Sequence, residues 1–340
     1  MTRLRALIAI VVLGLVAAAC GSDSGADRRL LRYGYAPGDS LTYDLSGSVV
    51  GSLRIEGPIE PGVDQADLDL DLTLGARLGY AVSEGEDPTQ SVVRITQQLT
   101  SLSGSVSGMG EERQLSLADL GEMPPTTVEV VIDETGAVVS ATIDGQALPL
   151  GGLGDLGGLG ALGDLESLGG QFLGPQHLGP LFSDEPVGVG DDWTIDGSVA
   201  PFGLDFPQEA THRIAAEETV GARSVVRIES ELTTGPIEFG LADLVGALGG
   251  QLGELGDEEF GLDPEQLAAF FEALGLQVSL DLAQSEGTAT TWFDPAGGIV
   301  VRHDGTTPFD LSVSVAGIPD VGDIAADLTM TVTQSLTLVE

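Results

Sequence analysis

The stretch Ala66-Asp67-Leu68-Asp69-Leu70-Asp71-Leu72-Thr73-Leu74 alternates apolar and polar residues from end to end. Successive side chains of a β-strand point to opposite faces, so this stretch predicts a strand with leucines on one face and carboxylates on the other. The same alternation recurs at residues 40–50, 92–106, 126–132, 137–143, 211–217, 224–232, 288–293, 298–303, 309–315 and 326–339. The sequence therefore predicts a mainly β fold of antiparallel sheets with minor α content.

Short patterns occur twice in the same order, which predicts two duplicated β units. The matching segments are 38–42 with 190–194, 91–95 with 224–228, and 131–139 with 292–300. In the last pair, Asp-x-x-Gly separates two β-rich runs and fits a hairpin turn whose glycine takes a positive φ. We place the first unit at 30–149 and the second at 180–340. Chance matches in a chain rich in glycine and valine are the alternative.

Two segments interrupt the β pattern and predict apolar insertions. In the connector 150–179, leucine recurs every third residue over 150–168 and is mostly followed by glycine, which disfavours a stable helix. We expect it to pack its leucines loosely on a sheet. The insertion 240–275 has leucines at three- and four-residue spacing, followed by Asp263, Pro264 and Gln266 as a helix start. We therefore expect apolar helices there.

The charge of the chain excludes several classes of partner. The formal net charge is −40, with 53 acidic residues against 13 basic ones. Nucleic acid and anionic lipid head groups are therefore poor partners. Every basic residue is arginine, so a lysine Schiff base and a P-loop lysine are excluded.

No constellation of residues predicts an enzyme, a cofactor site or a metal site. His177, His212 and His303 are far apart in the sequence, and no nucleophile elbow or P-loop occurs. A G-x-G-x-x-G match lies inside the Gly/Leu repeat, where composition alone produces it. The acidic run from Asp64 to Asp71 is interpreted as the solvated face of a strand, with a Ca²⁺ site as the alternative. Trp193 and Trp292 are interpreted as core residues at corresponding places in the two units.

The N-terminus predicts export and lipid attachment. Arg3 and Arg5 precede a run of apolar or small residues at 6–19, which is shorter than the roughly 20 residues of a membrane-spanning helix. The run ends just before Cys20, the single cysteine of the chain. This segment resembles the lipobox of bacterial lipoproteins, although Ala17 stands where leucine is usual.

The lipobox resemblance implies that residues 1–19 are a signal peptide. It also implies a lipid, including palmitate, on Cys20, with 20–29 as a flexible tether on the extracytoplasmic face of the cell membrane. An ordinary signal peptide with Cys20 as a bystander is the alternative.

We expect a non-enzymatic cell-envelope lipoprotein of structural or interaction type. The alternative is a carrier of a lipid or another hydrophobic ligand, because the long strands with Leu-rich insertions distantly resemble half-barrel lipoproteins of the LolA/LppX type. An envelope hydrolase is a third alternative. Expected partners are the membrane, through the anchor, and a hydrophobic ligand or an envelope protein. We expect no cofactor.

Overall fold

The computed structural model describes residues 28–60, 63–85, 87, 89–108, 110–120, 124–135, 137–143, 146–148, 180–199, 206–240, 277–318 and 322–339. These residues form one 15-stranded antiparallel sheet. Its strands are β1 Ser40–Glu60, β2 Val63–Glu84, β3 Gln90–Gly108, β4 Glu111–Ser116, β5 Thr126–Asp133, β6 Val138–Ile143, β7 Gln146–Leu148, β8 Asp192–Val199, β9 Phe206–Val220, β10 Arg223–Thr234, β11 Ile237–Gly240, β12 Gln277–Leu282, β13 Ser285–Asp294, β14 Ile299–Ile318 and β15 Gly322–Val339. The predicted mainly β, antiparallel class is confirmed.

The order of the strands divides the sheet into two runs of six. One run is β7-β6-β5-β3-β2-β1 and the other is β15-β14-β13-β10-β9-β8, and the pair β1–β15 joins them. The short strands β4, β11 and β12 attach to β3, β12 and β14, respectively. Within each run, neighbouring strands follow one another in the sequence except at β3–β5 and β10–β13, where the attached short strands intervene. This order is what two duplicated units would give, and the duplication itself stays a prediction.

Several strands are longer than the alternation predicted. Residues 298–303 and 309–315 were predicted as separate strands, yet both belong to β14, which runs through Pro308. On one side β14 pairs with β13 up to Thr306 and with β12 from Leu311 onward. Pro308 lies in the break between these two partners, where one side of the strand needs no N–H donor. The proline therefore interrupts the sequence pattern without ending the strand.

The prediction of apolar helices is not borne out. The described residues contain no α-helix, and their one helical element is the 3₁₀ turn Leu117–Leu120. Gly240, where the predicted insertion begins, belongs to β11, and β12 starts at Gln277. The rest of the insertion and the connector 150–179 lie outside the described residues. At the end of the expected tether, Arg29 forms a β-bridge with Val187.

The two Gly-Asp motifs form the same turn. The carboxylate of Asp39 accepts the Ala36 N–H at 2.9 Å, and that of Asp191 accepts the Gly188 N–H at 2.8 Å. The glycine before each aspartate has a positive φ, 94° in the first turn and 92° in the second. Left-handed φ suits glycine because a Cβ would clash with the following carbonyl. The sequence match therefore reflects a shared local geometry that starts β1 and β8.

The Asp-x-x-Gly turns are also similar, with one correction. Asp133 accepts the N–H groups of Thr135 and Ala137, and Asp294 accepts those of Ala296 and Gly297. In the second turn the positive φ, 63°, belongs to Gly298 rather than to the glycine three residues after the aspartate. The sequence predicted the positive φ at Gly297, which is one residue too early. The Asp294 carboxylate accepts the N–H groups of both Ala296 and Gly297, and the chain turns at the next residue, Gly298. Gly136 of the first turn lies outside the described residues.

One hydrophobic core holds the two halves together at one end of the strands, which we call the closed end. Two segments outside the strands cross it and contribute buried side chains, among them Leu31, Tyr33 and Tyr35 from the first and Phe182 and Val187 from the second. They pack against strand residues of both halves, including Tyr43, Leu78, Val93, Val130, Ile214, Ile228, Phe293, Val300 and Leu336. Since one cluster contains both runs of strands, the described chain folds as a single unit.

The N-terminal segment also ties the two Asp-x-x-Gly turns to each other. Tyr33 N–H donates to the Glu134 carbonyl at 2.9 Å, and Gly34 N–H donates to the Gly298 carbonyl at 3.0 Å. A Cβ on Gly298 would lie 2.1 Å from the nitrogen of Gly34, so only glycine fits this approach. The closed end therefore depends on close backbone contact as well as on apolar packing.

Candidate functional site

A continuous apolar surface crosses six neighbouring strands of the sheet away from the closed end. Two adjacent transverse rows of paired residues define it, and we call these twelve residues the apolar face. The first row is Ile237, Leu282, Leu311, Leu328, Leu53 and Leu68, and the second is Phe239, Leu280, Val313, Ala326, Ile55 and Ala66. Six strands at the usual spacing make each row about 24 Å wide.

The apolar face lies on the same side of the sheet as the core, yet it is much less buried. Leu45 is 5% exposed at the closed end, and alternate residues along β1 lead from it to Leu53 and Ile55. Within the apolar face only Leu282 and Ala66 are buried, and the other ten side chains are half-buried. Leu282 centres a small separate cluster with four neighbours of the face. The described residues therefore leave most of this surface in partial contact with solvent.

The opposite side of the same strands is acidic and exposed. Asp67, Asp69 and Asp71 alternate with the leucines of β2 and are all exposed, as the sequence predicted. Arg54 donates to Asp67 at 2.8 Å, and this hydrogen bond lowers the pKa of the Asp67 carboxyl. Within the described residues, no three His, Cys, Asp or Glu side chains are grouped as a metal site would require. The acidic run therefore has the geometry of a solvated face.

Two buried hydroxyls border the apolar face. Ser285 is 6% exposed, and its Oγ atom has no hydrogen-bond partner. Thr234 is 4% exposed and lies directly opposite Ser285 in the pairing of β10 with β13. Both belong to strands that lead into the Ile237–Leu282 pair of the first row. An unpaired buried hydroxyl is unfavourable and calls for a partner, such as a water or a ligand.

The two described histidines are buried and separate. Nδ1 of His212 lies 2.8 Å from Ser230 Oγ, and Nδ1 of His303 lies 2.8 Å from Thr291 Oγ1. Burial lowers the pKa of His212 to about 4 and also lowers the pKa of His303. Their strands β9 and β14 are separated by β10 and β13. Burial thus disfavours the charged form of both imidazoles, and the two side chains do not form one site.

The remaining residues singled out from the sequence have different positions. Trp193 lies in the core, 8% exposed, and its Nε1 donates to the Leu181 carbonyl at 2.9 Å. Trp292 is only half-buried and donates to Glu218 at 3.1 Å, with the Arg302 guanidinium 5.0 Å from its ring centre. The prediction that both tryptophans are core residues is therefore wrong for Trp292. Cys20 and His177 lie outside the described residues.

The described surface offers little enclosed space. A cavity of about 10 Å³, roughly the room of one water molecule, is lined in part by Leu45, Val49, Leu74 and Val332. It lies between the core and the apolar face. In the part of the chain that the structure describes, no helix could span a membrane. The apolar face, with its bordering hydroxyls, is therefore the candidate site.

The comparisons with known proteins add no function. No protein-family model matches the sequence, and comparison with curated proteins gives no match. Among solved structures, the crystal structure of the outer membrane protein OprG from Pseudomonas aeruginosa aligns over 91% of this chain and 99% of that chain. The sequence identity is 8% and the TM-score is 0.17. A likeness of this size carries no argument about this chain.

Proposed function

We propose that the chain is a lipid-anchored, non-enzymatic protein of the bacterial cell envelope that binds a hydrophobic ligand on its apolar face. The observation that carries the binding role is the contrast in burial between ten half-buried side chains of this face and the core on the same side of the sheet. Contiguous apolar patches above a few hundred Å² are rare on soluble monomers and mark interaction sites. This contrast favours the carrier hypothesis over a purely structural role.

The lipid anchor rests on the sequence of the N-terminal segment. Small residues precede Cys20, an apolar run precedes them, and the chain has no second thiol with which Cys20 could pair. The described chain begins at Arg28, only eight residues later, and leads directly into the segment that crosses the closed end. The proposal therefore places the closed end near the membrane surface.

The anchor is tested by a Cys20→Ser change in the full chain. The variant is expected to leave the membrane fraction and to appear in the soluble fraction with an unchanged unfolding midpoint. Arg28→Ser, a change in an exposed residue beyond the anchor, is the control and should stay membrane-bound. A Cys20→Ser protein that remained in the membrane fraction would overturn the anchor.

Ligand binding is tested with pyrene, an uncharged fluorescent hydrocarbon, and two substitutions on adjacent residues of β15. Leu328 lies in the centre of the apolar face between Leu53 and Leu311, whereas Thr329 is exposed on the opposite side. Leu328→Gln is expected to weaken pyrene binding at least tenfold because it places an amide among aliphatic side chains. Thr329→Gln is expected to bind like the wild type. If the wild type binds no pyrene, or if both variants bind it equally, the proposal is wrong.

A further inference from the structure

We infer that the ligand is an uncharged amphiphile whose hydrocarbon chain lies on the apolar face and whose polar group hydrogen-bonds to Ser285 and Thr234. This inference rests on the proposed function and specifies the chemistry of its ligand. Three observations carry it: the unpartnered hydroxyl of Ser285, its place at the border of the face, and the lack of charged residues in the face itself.

The hydroxyl of Ser285 is the strongest sign of a missing partner. The side chain is 94% buried, and its Oγ is the one buried side-chain polar atom without a hydrogen bond among the described residues. Burial of a hydroxyl without a partner is unfavourable, so a group that completes the hydrogen bond would stabilise the fold. Alanine would fill the same space without this penalty. The serine therefore calls for a hydrogen-bonding partner beyond the described protein groups, and the proposed ligand supplies one.

The position of the two hydroxyls fits the polar end of a chain-like molecule. Ser285 follows Leu282 by three residues and Thr234 precedes Ile237 by three, so the hydroxyl pair lies about 10 Å from the end of the first row. The register sets Thr234 opposite Ser285, and both are buried on the core side of the sheet. The hydroxyl pair therefore lies on the same side of the sheet as the apolar face and just beyond one end of its first row.

The charge pattern selects an uncharged ligand over an anionic one. None of the twelve residues of the apolar face is charged, and neither are the two bordering residues. The acidic side chains of the same strands, such as Glu238, Asp310 and Asp327, are exposed on the opposite side. With a net charge of −40 and no basic side chain in the face, a carboxylate or phosphate would meet a negative field without a partner. A hydroxyl or an ester avoids that penalty.

The test compares three ligands that share a 16-carbon chain: hexadecanol, hexadecane and hexadecanoate. Each competes with pyrene for the full-length wild type and for a Ser285→Ala/Thr234→Val variant. The wild type is expected to bind hexadecanol about tenfold more tightly than hexadecane, with hexadecanoate the weakest of the three. The variant should lose the preference for the alcohol while its affinity for hexadecane stays unchanged. Thr288→Val, on the exposed side of β13, is the matched control and should behave like the wild type.

The outcomes separate this inference from the proposed function. If hexadecane binds but the alcohol binds no better, or if the variant keeps the preference, the inference is overturned and the proposed function stands. Preferred binding of hexadecanoate would overturn the inference that the ligand is uncharged. If none of the ligands binds, the proposed function fails as well. Binding that appears only after deletion of residues 241–276 would show that the chain itself occupies the face, which contradicts both.

Folding is checked with thermal unfolding of the single variants. Ser285→Ala is expected to keep or raise Tm in the absence of ligand, because it removes a buried hydroxyl without a partner. Addition of hexadecanol should raise the Tm of the wild type more than that of the variant. A Ser285→Ala protein with a clearly lower Tm would show that the hydroxyl already has a structural role, and the inference would be wrong.

Discussion

The closed end and the apolar face belong to the same strands and the same side of one sheet, but only the closed end has a cover. There, two non-strand segments bring Tyr33 and Phe182 onto strand residues such as Phe293, with ring centres 4.6–5.6 Å apart. Over the apolar face, the described chain supplies no such segment. The alternation of apolar residues is similar in both regions. Burial in this sheet is therefore decided by what crosses the strands rather than by the strands themselves.

The largest expected effect comes from removing an aromatic residue at the closed end. Phe293 is completely buried, and replacing it with alanine should lower the free energy of unfolding by about 3–5 kcal/mol, as is usual for Phe→Ala in a core. Urea denaturation followed by tryptophan fluorescence measures the change. A loss as small as that of a half-buried leucine would break the distinction between the two regions.

The second prediction concerns pH and His212, which packs at the closed end against Trp193 with ring centres 5.2 Å apart. Burial lowers its pKa in the folded state to about 4, whereas the unfolded value is about 6.5. The unfolded state therefore binds more protons between these values, and stability is lost as the pH falls from 6.5 to 4. The loss due to His212 is about 3 kcal/mol at most.

The measurement is the free energy of unfolding of wild type and His212→Gln over this pH range. The wild type should lose up to about 3 kcal/mol of its advantage in unfolding free energy over His212→Gln as the pH falls from 6.5 to 4. His303 titrates in both proteins and cancels in the difference. A constant difference from pH 7 to pH 4 would contradict the prediction.

A smaller effect is expected from Gly298, where the N-terminal segment meets the second Asp-x-x-Gly turn. Alanine at this position would combine a φ of 63° with a Cβ 2.1 Å from Gly34 nitrogen. Strain of this kind costs about 1–3 kcal/mol. Gly38→Ala is the control, because its φ is also positive but its Cβ would meet nothing within 4 Å. Thermal unfolding should rank Gly298→Ala below Gly38→Ala, and the reverse order would show that the contact with Gly34 is not restrictive.

The smallest effect is expected at the apolar face. Leu328 is half-buried, so replacing it with alanine should cost about 1 kcal/mol, below the 2–5 kcal/mol typical of a buried leucine. Leu45→Ala is the comparison, because Leu45 is 5% exposed and lies on the same side of β1 as Leu53, eight residues nearer the closed end. Urea denaturation of both variants measures the contrast between the two regions directly. Equal losses would mean that the face is as well packed as the core.

The sequence predicted the strands well because their signal is local. Alternation identified the strands around Leu68, Val93 and Ile228, and the Gly-Asp turns were recognisable from two residues. The joining of 298–303 with 309–315 was not predictable, because Pro308 is tolerated only owing to the break between β13 and β12. The placement of Trp292 also depends on which side of β13 faces the core.

The candidate site was only partly visible in the sequence. The leucines of β2 already indicated an apolar face, but its width depends on the register of six strands, which joins Leu53 to Leu328 and Leu311. The hydroxyl of Ser285 gave no signal, because a single serine near the start of a strand is unremarkable by sequence. Its significance comes from burial and from the lack of a partner, which are properties of the tertiary structure.

The pairing of β1 with β15 has a consequence for how the chain folds. Thr42 pairs with Val339 and Glu56 pairs with Ala325, so the seam between the two halves joins residues from opposite ends of the sequence. Contacts of such long range carry a large loop-closure cost and slow the search for the native state. Until β15 is available, the long edge of β1 stays open to other strands, as an unpaired edge is prone to do. A chain shortened by its last strand should therefore associate with copies of itself.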